Sequence, residues 1–452
     1  MVSQILKEQS AYARSFRALQ ERTHGANVRS WVGRLRESAF VGFEKLGFPT
    51  TRMEEWKYTN VAPIAKADFE PASLEDEPLA IDAASLQEFA YTEARSSKLV
   101  FVNGFYRPEL SSLEALPGEV AVMDIADALH DEKYEEVIRE QLARDADFNE
   151  DAFTALNTAF IASGAFVYIP AGAQVEAPVQ LLFLTDTERG PVASFPRVLV
   201  VAERASAATV IESYAGLCED AYFTNAVVEI SLGEGARLTH YKVQRESAEA
   251  FHVATTRARL ARDSSFDTTT ITLGAQLSRH GINVMLDAEG AECWVDGLYL
   301  VGSNQHADTH SLIDHRQPHC TSHQLYKGIL DGKSRAVFNG KVFVHKGAQQ
   351  TDARQTNRNL LLSNEARVDT KPQLEIFADD VKCAHGATVG QLEEEELFYL
   401  ASRGLDPDIA RNLLTYGFAE EVISKIKIDS IKAHLDEAVL NRLHSTLEAG
   451  SI

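Results

Sequence analysis

Cysteine is scarce in this chain of 452 residues, which carries only 4. Cys218, Cys293, Cys320 and Cys383 stand far apart, and none forms a CxxC pair. That spacing argues against a disulfide framework. It also argues against a self-contained zinc or iron–sulfur site, because a cluster usually takes four ligands, typically thiolates. Long hydrophobic runs are absent too, and none approaches the roughly 20 residues of a membrane-spanning helix. The opening "MVSQILKEQSAYARSF" has neither the apolar stretch of a signal peptide nor the acid-poor, Arg- and Ser-rich character of a transit peptide, so a cytoplasmic protein is expected. Positive charge is in deficit, with 44 Lys and Arg against 66 Asp and Glu, a net charge of −22. That balance favours solubility and disfavours binding to a phosphate backbone, so neither nucleic acid nor membrane is expected as a partner. GxxxxGK[ST] does not occur, and the glycines of "SLGEGARL" are those of a turn. ATP hydrolysis, if it drives this protein, belongs to a partner.

What is present is the composition of a folded protein, 45% apolar and long enough for two or three domains. Residues 1 to about 60 read as helical, with Leu6, Tyr12, Phe16, Leu19, Trp31, Leu35 and Phe43 recurring at helix-like intervals. The pattern breaks at Gly47 and Pro49. Signals then mix up to residue 150, where "KLVFVNGFY" reads as strand and turn and "DIADALHDEKYEEVIREQLA" as helix. From 151 to 392 the texture is one of short β-branched or alternating runs, among them "AFVYIP", "VQLLFL", "RVLVVA", "AVVEISL", "RLTHYKV" and "FDTTTITL". Close, regular spacing of such runs means a sandwich, a barrel or a stacked solenoid. The length without a helical break and the recurring turns "GEGARL", "AEGAEC", "KGAQQT" and "SNEARV" favour the solenoid. In "QTNRNLLL", Gln355, Asn357 and Asn359 share one face of a strand, where stacked coils can support a polar ladder.

The tail, 393–452, is helical again. "EEEELFYLASRG" starts with acids and ends in Gly404, a good residue just past a helix end. "LDPDIARNLLTYG" offers Asp406 as N-cap, Pro407 at the first helical position and Gly417 as the stop, with a third, longer helix after it. Ile409, Leu413 and Leu414 make one apolar face, and Phe418, Val422 and Ile426 another. These helices are too few to bury those faces alone, so they pack on the solenoid end or dock a partner.

Chemistry concentrates in "FADDVKCAHGATVG". Cys383 and His385 stand two apart, so on a strand they project to one face, with the parity of Val381 and Val389. A free Cys and a neutral His on such a face are usually packing. Imidazole and thiolate that share a face also suit iron or zinc. One chain offers too few thiols here, a shortage that a partner's cysteine would fill. "QHADTHSLIDHRQPHCTSH" is dense in donors (His306, His310, His315, His319, Cys320, His323), yet its spacing matches no zinc motif and its members fall on different faces of a solenoid. A Cys–His nucleophile would need an orienting third group and an oxyanion site. Asp379 and Asp380 are near, but nothing indicates a cleft. A β-helix hydrolase or lyase acting on acidic polysaccharides would want basic and carboxylate residues along a groove. Arg354, Arg358 and Lys371 are more simply surface or interface charges.

Five stretches carry a resemblance: "EEWKYTN", "ALNTAFIASGAFVYIPAGAQVEAPVQLLF", "LYKGILDGKSRAVFNGKVFV", "QTNRNLLLSNEARVDTKPQLEIFADDVKCAHGATVGQL" and "LFYLASRGLDPDIARNLL". Over nearly the whole chain the sequence resembles the SufB/SufD family of bacterial iron–sulfur cluster assembly proteins. "EEWKYTN" and the Cys-Ala-His-Gly order at 383–386 look like the SufD side. The resemblance implies a mainly β fold, a right-handed parallel β-helix core (151–392) between a helical or mixed N-terminal domain (1–150) and a C-terminal helical domain (393–452). It implies a non-catalytic scaffold subunit that pairs with SufB through the β-helix and docks the SufC ATPase through the tail. Leu397, Phe398, Tyr399, Arg403, Gly404, Leu405, Ala410, Leu413, Leu414 and Phe418 are the docking residues it suggests. By the same resemblance His385, with Cys383 beside it, serves a transient iron–sulfur cluster shared with SufB at their interface. A flavin in the assembled complex has no support in this sequence, and a homodimer of the lone chain is left open. The rival within the family is a SufB-like main scaffold subunit. The more remote one is the polysaccharide hydrolase or lyase.

Overall fold

The short β-branched runs become strands of a parallel β-solenoid of about 8 turns in the computed structural model, which describes residues 11–25, 29–67, 69–73, 81 and 83–449. Leu6 lies outside the described residues. Two sheets form the walls. One, of 11 strands, runs from Ala121–Asp124 through Ala165–Ile169, Arg197–Ala202, Phe223–Leu232, Phe251–Leu260, Leu277–Leu286, His306–His315 and Arg335–Val344 to Arg367–Ile376, with Val192–Ser194 and Glu70–Pro71 paired beside this path. The other, of 10 strands, runs from Phe105–Tyr106 and Lys98–Val102 through Val179–Thr185, Ala207–Gly216, Arg237–Arg245, Ser265–Thr272, Glu292–Val301, Thr321–Leu330 and Thr351–Leu361 to Val381–Gly390. The strand and turn expected in "KLVFVNGFY" are both present, and Lys98–Val102 pairs in parallel with Val179–Thr185.

A solenoid must turn a corner on every coil, and here one residue in left-handed conformation does so at matching places. At one corner these are Ala205, Gly235, Asp263, Gly290, His319 and Gln350. Each donates its backbone N–H to a carbonyl of the next coil, for example Ala205 to Glu234 at 2.8 Å, Gly235 to Arg262 at 2.8 Å and His319 to Gln349 at 2.9 Å. The corner amides, which no sheet ladder can satisfy, are thereby paired between coils. Three of the six, Ala205, His319 and Gln350, are not glycine, asparagine or aspartate, and the interlocked coils hold them in a conformation that is costly for such side chains.

Side chains of one parity fill the interior, among them Val198, Val228, Phe266, Val295, Phe338 and Val342. The other parity faces outward and is clad by helices on both flanks. On the first sheet Phe195, Phe223, Phe251 and Leu277 meet Tyr12 and Phe16 of helix Ala11–Gly25, Phe40 and Phe43 of helix Ser30–Leu46, and Phe153 of helix Ala152–Ala159. On the second, Tyr241, Ile271, Leu298, Leu300, Leu325 and Ile329 meet Val422, Ile426, Ile431 and Leu435 from the tail. The tail therefore lies along the flank, not on the solenoid end. Its second helix also runs on from Pro407 to Ile423, through Gly417, before the third, Asp429–Ala449. Gly417 is no stop because the stripe of Thr415, Ala419 and Val422 is buried on the flank, which outweighs about 1 kcal/mol of lost helix propensity. Asp406 does cap that helix, accepting from the Asp408 N–H at 2.9 Å, and Gly404 does end the first, at φ +86°.

"EEWKYTN" folds as a strap across the first sheet. Trp56 stacks under the Arg279 guanidinium, 3.7 Å from its ring centre, and Arg279 donates to the Glu55 carbonyl at 2.9 Å and pairs with Asp308. Thr59 donates to Asp308 at 2.5 Å, while His310 places its ring nitrogens 3.1 Å from Glu55 and 3.1 Å from Asp308. Burial opposes charge on His310, but the two carboxylates outweigh it and raise its pKa. A raised folded-state pKa stabilises fully below the ordinary histidine value near 6.5, and that contribution is lost as pH rises through the folded value. Hydrogen exchange at 54–59 is therefore expected to accelerate, beyond the intrinsic base catalysis, as pH rises above the ordinary histidine value of about 6.5. In His310→Gln that excess should vanish.

Candidate functional site

Among the described residues, the helices cover the flanks but not the C-terminal end. Arg367–Ile376 and Val381–Gly390 are the last rungs of the two sheets, each paired on one side only, so a row of backbone N–H and C=O groups faces outward from each. Ile376, Phe377 and Val389 stand exposed there (37%, 59% and 48%). Natural proteins usually blunt such an edge, so an apolar one left bare is a template for another chain.

Cys383 and His385 lie on this last rung. The register pairs Cys383 with Ala353, His385 with Gln355, Ala387 with Asn357 and Val389 with Asn359. In a parallel pair, register partners share a face, and Ala353, Gln355 and Asn357 are buried in the interior. The two candidate donors thus share the inward face, as their parity predicted. Cys383 is half-buried against the interior cluster together with Val381, Val368 and Leu374. Burial pushes its thiol pKa up, so a metal or base must take its proton before it can act as a thiolate. His385 is exposed, because no further turn covers it.

Behind this rung the interior turns polar. Gln355 donates to Gln324 at 2.8 Å, and Gln324 donates to Ser311 at 2.8 Å. Asn359 donates to Asn357 at 2.7 Å, Thr370 donates to the same Asn357 oxygen at 2.8 Å, and Tyr299 donates to Asn359. The ladder expected from Gln355, Asn357 and Asn359 is present. Its partners Ser311, Gln324 and Tyr299 come from earlier coils that no exact repeat marks. Gly328 makes room for it, since a Cβ there would lie 2.0 Å from the Tyr299 ring.

The histidine-rich segment does not converge. His306 meets Thr59 at 3.0 Å and His310 meets Glu55 and Asp308, His315 turns to Ser322 at 2.8 Å, His319 forms a corner, Cys320 is buried, and His323 stacks on Trp294 of the neighbouring strand in the second sheet. Among the described residues no group of three or more His, Cys, Asp or Glu is placed to hold a metal ion. Asp379 and Asp380 lie just before the last rung, where the Asp380 backbone N–H donates to the Gln349 side chain at 2.9 Å and its carbonyl accepts from Gln350 at 2.6 Å. Arg358 and Lys371 are tied to Glu421 at 3.1 Å and Glu54 at 3.0 Å, and Arg354 is exposed.

A charged network in the middle coils has no counterpart in the sequence reading. His240 meets Glu212 at 2.5 Å, His252 meets Glu246 at 2.7 Å, and Lys242 meets His252 at 2.8 Å, all buried. Burial pushes Lys242 down to about 8, against the pull of Glu212 and Glu246. In sequence these residues are indistinguishable from the polar half of a solvated strand.

The tail carries a second exposed apolar surface. Phe398, Tyr399, Ile409 and Leu413 are 75%, 56%, 55% and 52% exposed. Leu397, Leu405 and Leu414 are half-buried beside them, and Arg403 lies over the Tyr399 ring at 4.9 Å. Ala410 is fully buried and so faces this chain's own core. Phe418 packs inward, with its carbonyl accepting from Lys327 at 2.8 Å. Lys327 and Lys425 pin the tail to the flank through Glu421 at 2.5 Å and Asp296 at 2.7 Å.

Two family models match in tandem: the SufBD protein N-terminal region over residues 6–181, and the SufBD core domain of the SUF system for FeS cluster assembly over residues 183–418. The chain belongs to the SufBD family of iron–sulfur cluster assembly proteins. A SufBD family protein of Synechocystis is 38% identical over 93% of this chain and 97% of its own length. The iron–sulfur cluster assembly protein SufD of Escherichia coli is 34% identical over 90% and 91%, and SufD of Bacillus subtilis 30% identical over 90% and 92%. SufBD membership ties the chain to iron–sulfur cluster assembly. Among the described residues no helix is long and apolar enough to cross a membrane.

Proposed function

We propose that this chain is the SufD-type scaffold subunit of a cytoplasmic cluster assembly complex, non-catalytic itself, and that its open solenoid end is where a SufB subunit pairs. The observation that carries the reading is that bare end, two unpaired edge strands with Ile376, Phe377 and Val389 exposed beside Cys383 and His385. A second solenoid pairing there would satisfy the backbone groups and cover the apolar side chains in one step. His385 and Cys383 are two donors on one face, and a nascent cluster, handled as cargo, needs more. The partner's thiolates would supply the rest, and imidazole beside thiolate suits iron. The proposed division of labour follows the chain: 1–150 clads the first sheet and contributes the opening strands of both, 151–392 carries the pairing end, and 393–452 receives the SufC ATPase. Phe398, Tyr399 and Leu413 form the centre of that docking surface, with Leu397, Arg403, Gly404, Leu405 and Leu414 around it. Ala410 and Phe418 support it from the flank side.

Val389→Asp tests the pairing. A carboxylate buried unpaired at the centre of an interface should cut recovery of SufB with a tagged chain roughly ten-fold or more. SufC, bound elsewhere, should be recovered unchanged. Equal recovery of SufB with both chains would show that pairing does not use this end.

A further inference from the structure

Gln355 sits directly behind His385, one rung inward, and the amide ladder it ends is directional. Gln324 gives its N–H to Ser311 and Gln355 gives its N–H to Gln324, each at 2.8 Å. The ladder's last carbonyl oxygen, Oε1 of Gln355, is therefore left over. Gln355 is 1% exposed, and among the described residues this buried oxygen has no hydrogen-bond partner. A buried acceptor without a donor is costly, and the adjacent rung on the same face is occupied by an imidazole.

We propose that Gln355 is the positioning residue of His385: in solution the imidazole turns inward and donates one ring N–H to Gln355 Oε1, which leaves the lone pair of the other ring nitrogen facing the open end. This inference rests on the reading of His385 as a donor to the nascent cluster and adds what selects its tautomer. A histidine ligand almost always gives its second N–H to a carbonyl or carboxylate, which fixes ring orientation and raises ligand basicity. Here the ladder, anchored at Ser311 two coils away, holds that carbonyl in place. No charge is needed, so the interior keeps its neutral amides at this level.

The test uses Gln355→Met, which keeps length and removes the acceptor, and Gln355→Glu, which keeps an acceptor. Gln324 can reverse its amide to donate to that carboxylate while Ser311 donates to Gln324, so the second variant preserves the ladder. Long-range 15N–1H spectra of histidine-labelled chain, taken where imidazole is neutral and assigned with His385→Gln, report the tautomer of His385. One tautomer should dominate in the wild type and in Gln355→Glu, and a mixture should appear in Gln355→Met. In the complex co-expressed with SufB and SufC, bound iron and sulfide should fall on the order of ten-fold in Gln355→Met and recover in Gln355→Glu. A mixed tautomer already present in the wild type, or no spectral change in Gln355→Met, overturns the proposal. A spectral change with full cluster content also overturns it as a positioning role. In that case His385→Ala tells the two failures apart: cluster lost means that only Gln355 was misassigned, and cluster kept means that the reading of His385 fails.

Discussion

Glu229→Ala is expected to destabilise the chain by about 3–5 kcal/mol, the usual cost of removing one partner from a buried ion pair. Glu229 and Arg197 are both buried and paired with each other. The other carboxylate bonds run to the N-terminal region: Glu229 accepts the backbone N–H groups of Ala143 at 2.9 Å, Asp145 at 3.3 Å and Ala146 at 3.3 Å. Arg197 in turn donates to Asn157 at 3.1 Å and Thr158 at 3.2 Å, both on the helix Ala152–Ala159 that covers the first sheet. Alanine would strand a fully buried guanidinium and three amides at the junction between solenoid and cladding. A marginal protein has only about 5–15 kcal/mol to lose, so the urea midpoint should fall steeply. The double variant Arg197→Met/Glu229→Leu removes both charges and should recover part of the loss, while the orphaned amides keep it below the wild type. A midpoint within about 0.5 kcal/mol of wild type in Glu229→Ala would show that the pair does not join the two parts.

Much of this architecture was legible from local pattern. Runs such as "RVLVVA" and "FDTTTITL" could only be strands, and Gly235 and Gly290 marked their corners. Ala205, His319 and Gln350 turn equivalent corners with no local signal, because the stacked coils, not the residue, hold the conformation. The shared face of Cys383 and His385 followed from parity alone. Their different exposure did not, since it depends on which rung is last: Cys383 still reaches the interior cluster and His385 does not. Gln355, Asn357 and Asn359 announced a ladder, but the register that brings Gln324 beneath Gln355 is set by corner lengths that vary between coils. The tail misled where tertiary packing overrode propensity, at Gly417. Arg197 and Glu229 lie on strands whose sequence gives no hint that their charges are internal.

The account turns on the chemistry of the open end, and His385→Ala isolates it. The side chain is exposed on the last rung, so its removal leaves no cavity. What it removes is one of two donors on that face, and the remaining thiol, raised by burial, is a poor ligand by itself. The decisive measurement is anaerobic co-expression of wild type and His385→Ala with SufB and SufC, followed by visible absorption and assay of bound iron and sulfide in the purified complex. The prediction is equal assembly of both complexes, with the cluster present in the wild type and lost in the variant. An equally assembled variant complex carrying the same cluster as wild type would contradict the account and place the site wholly on the partner's side.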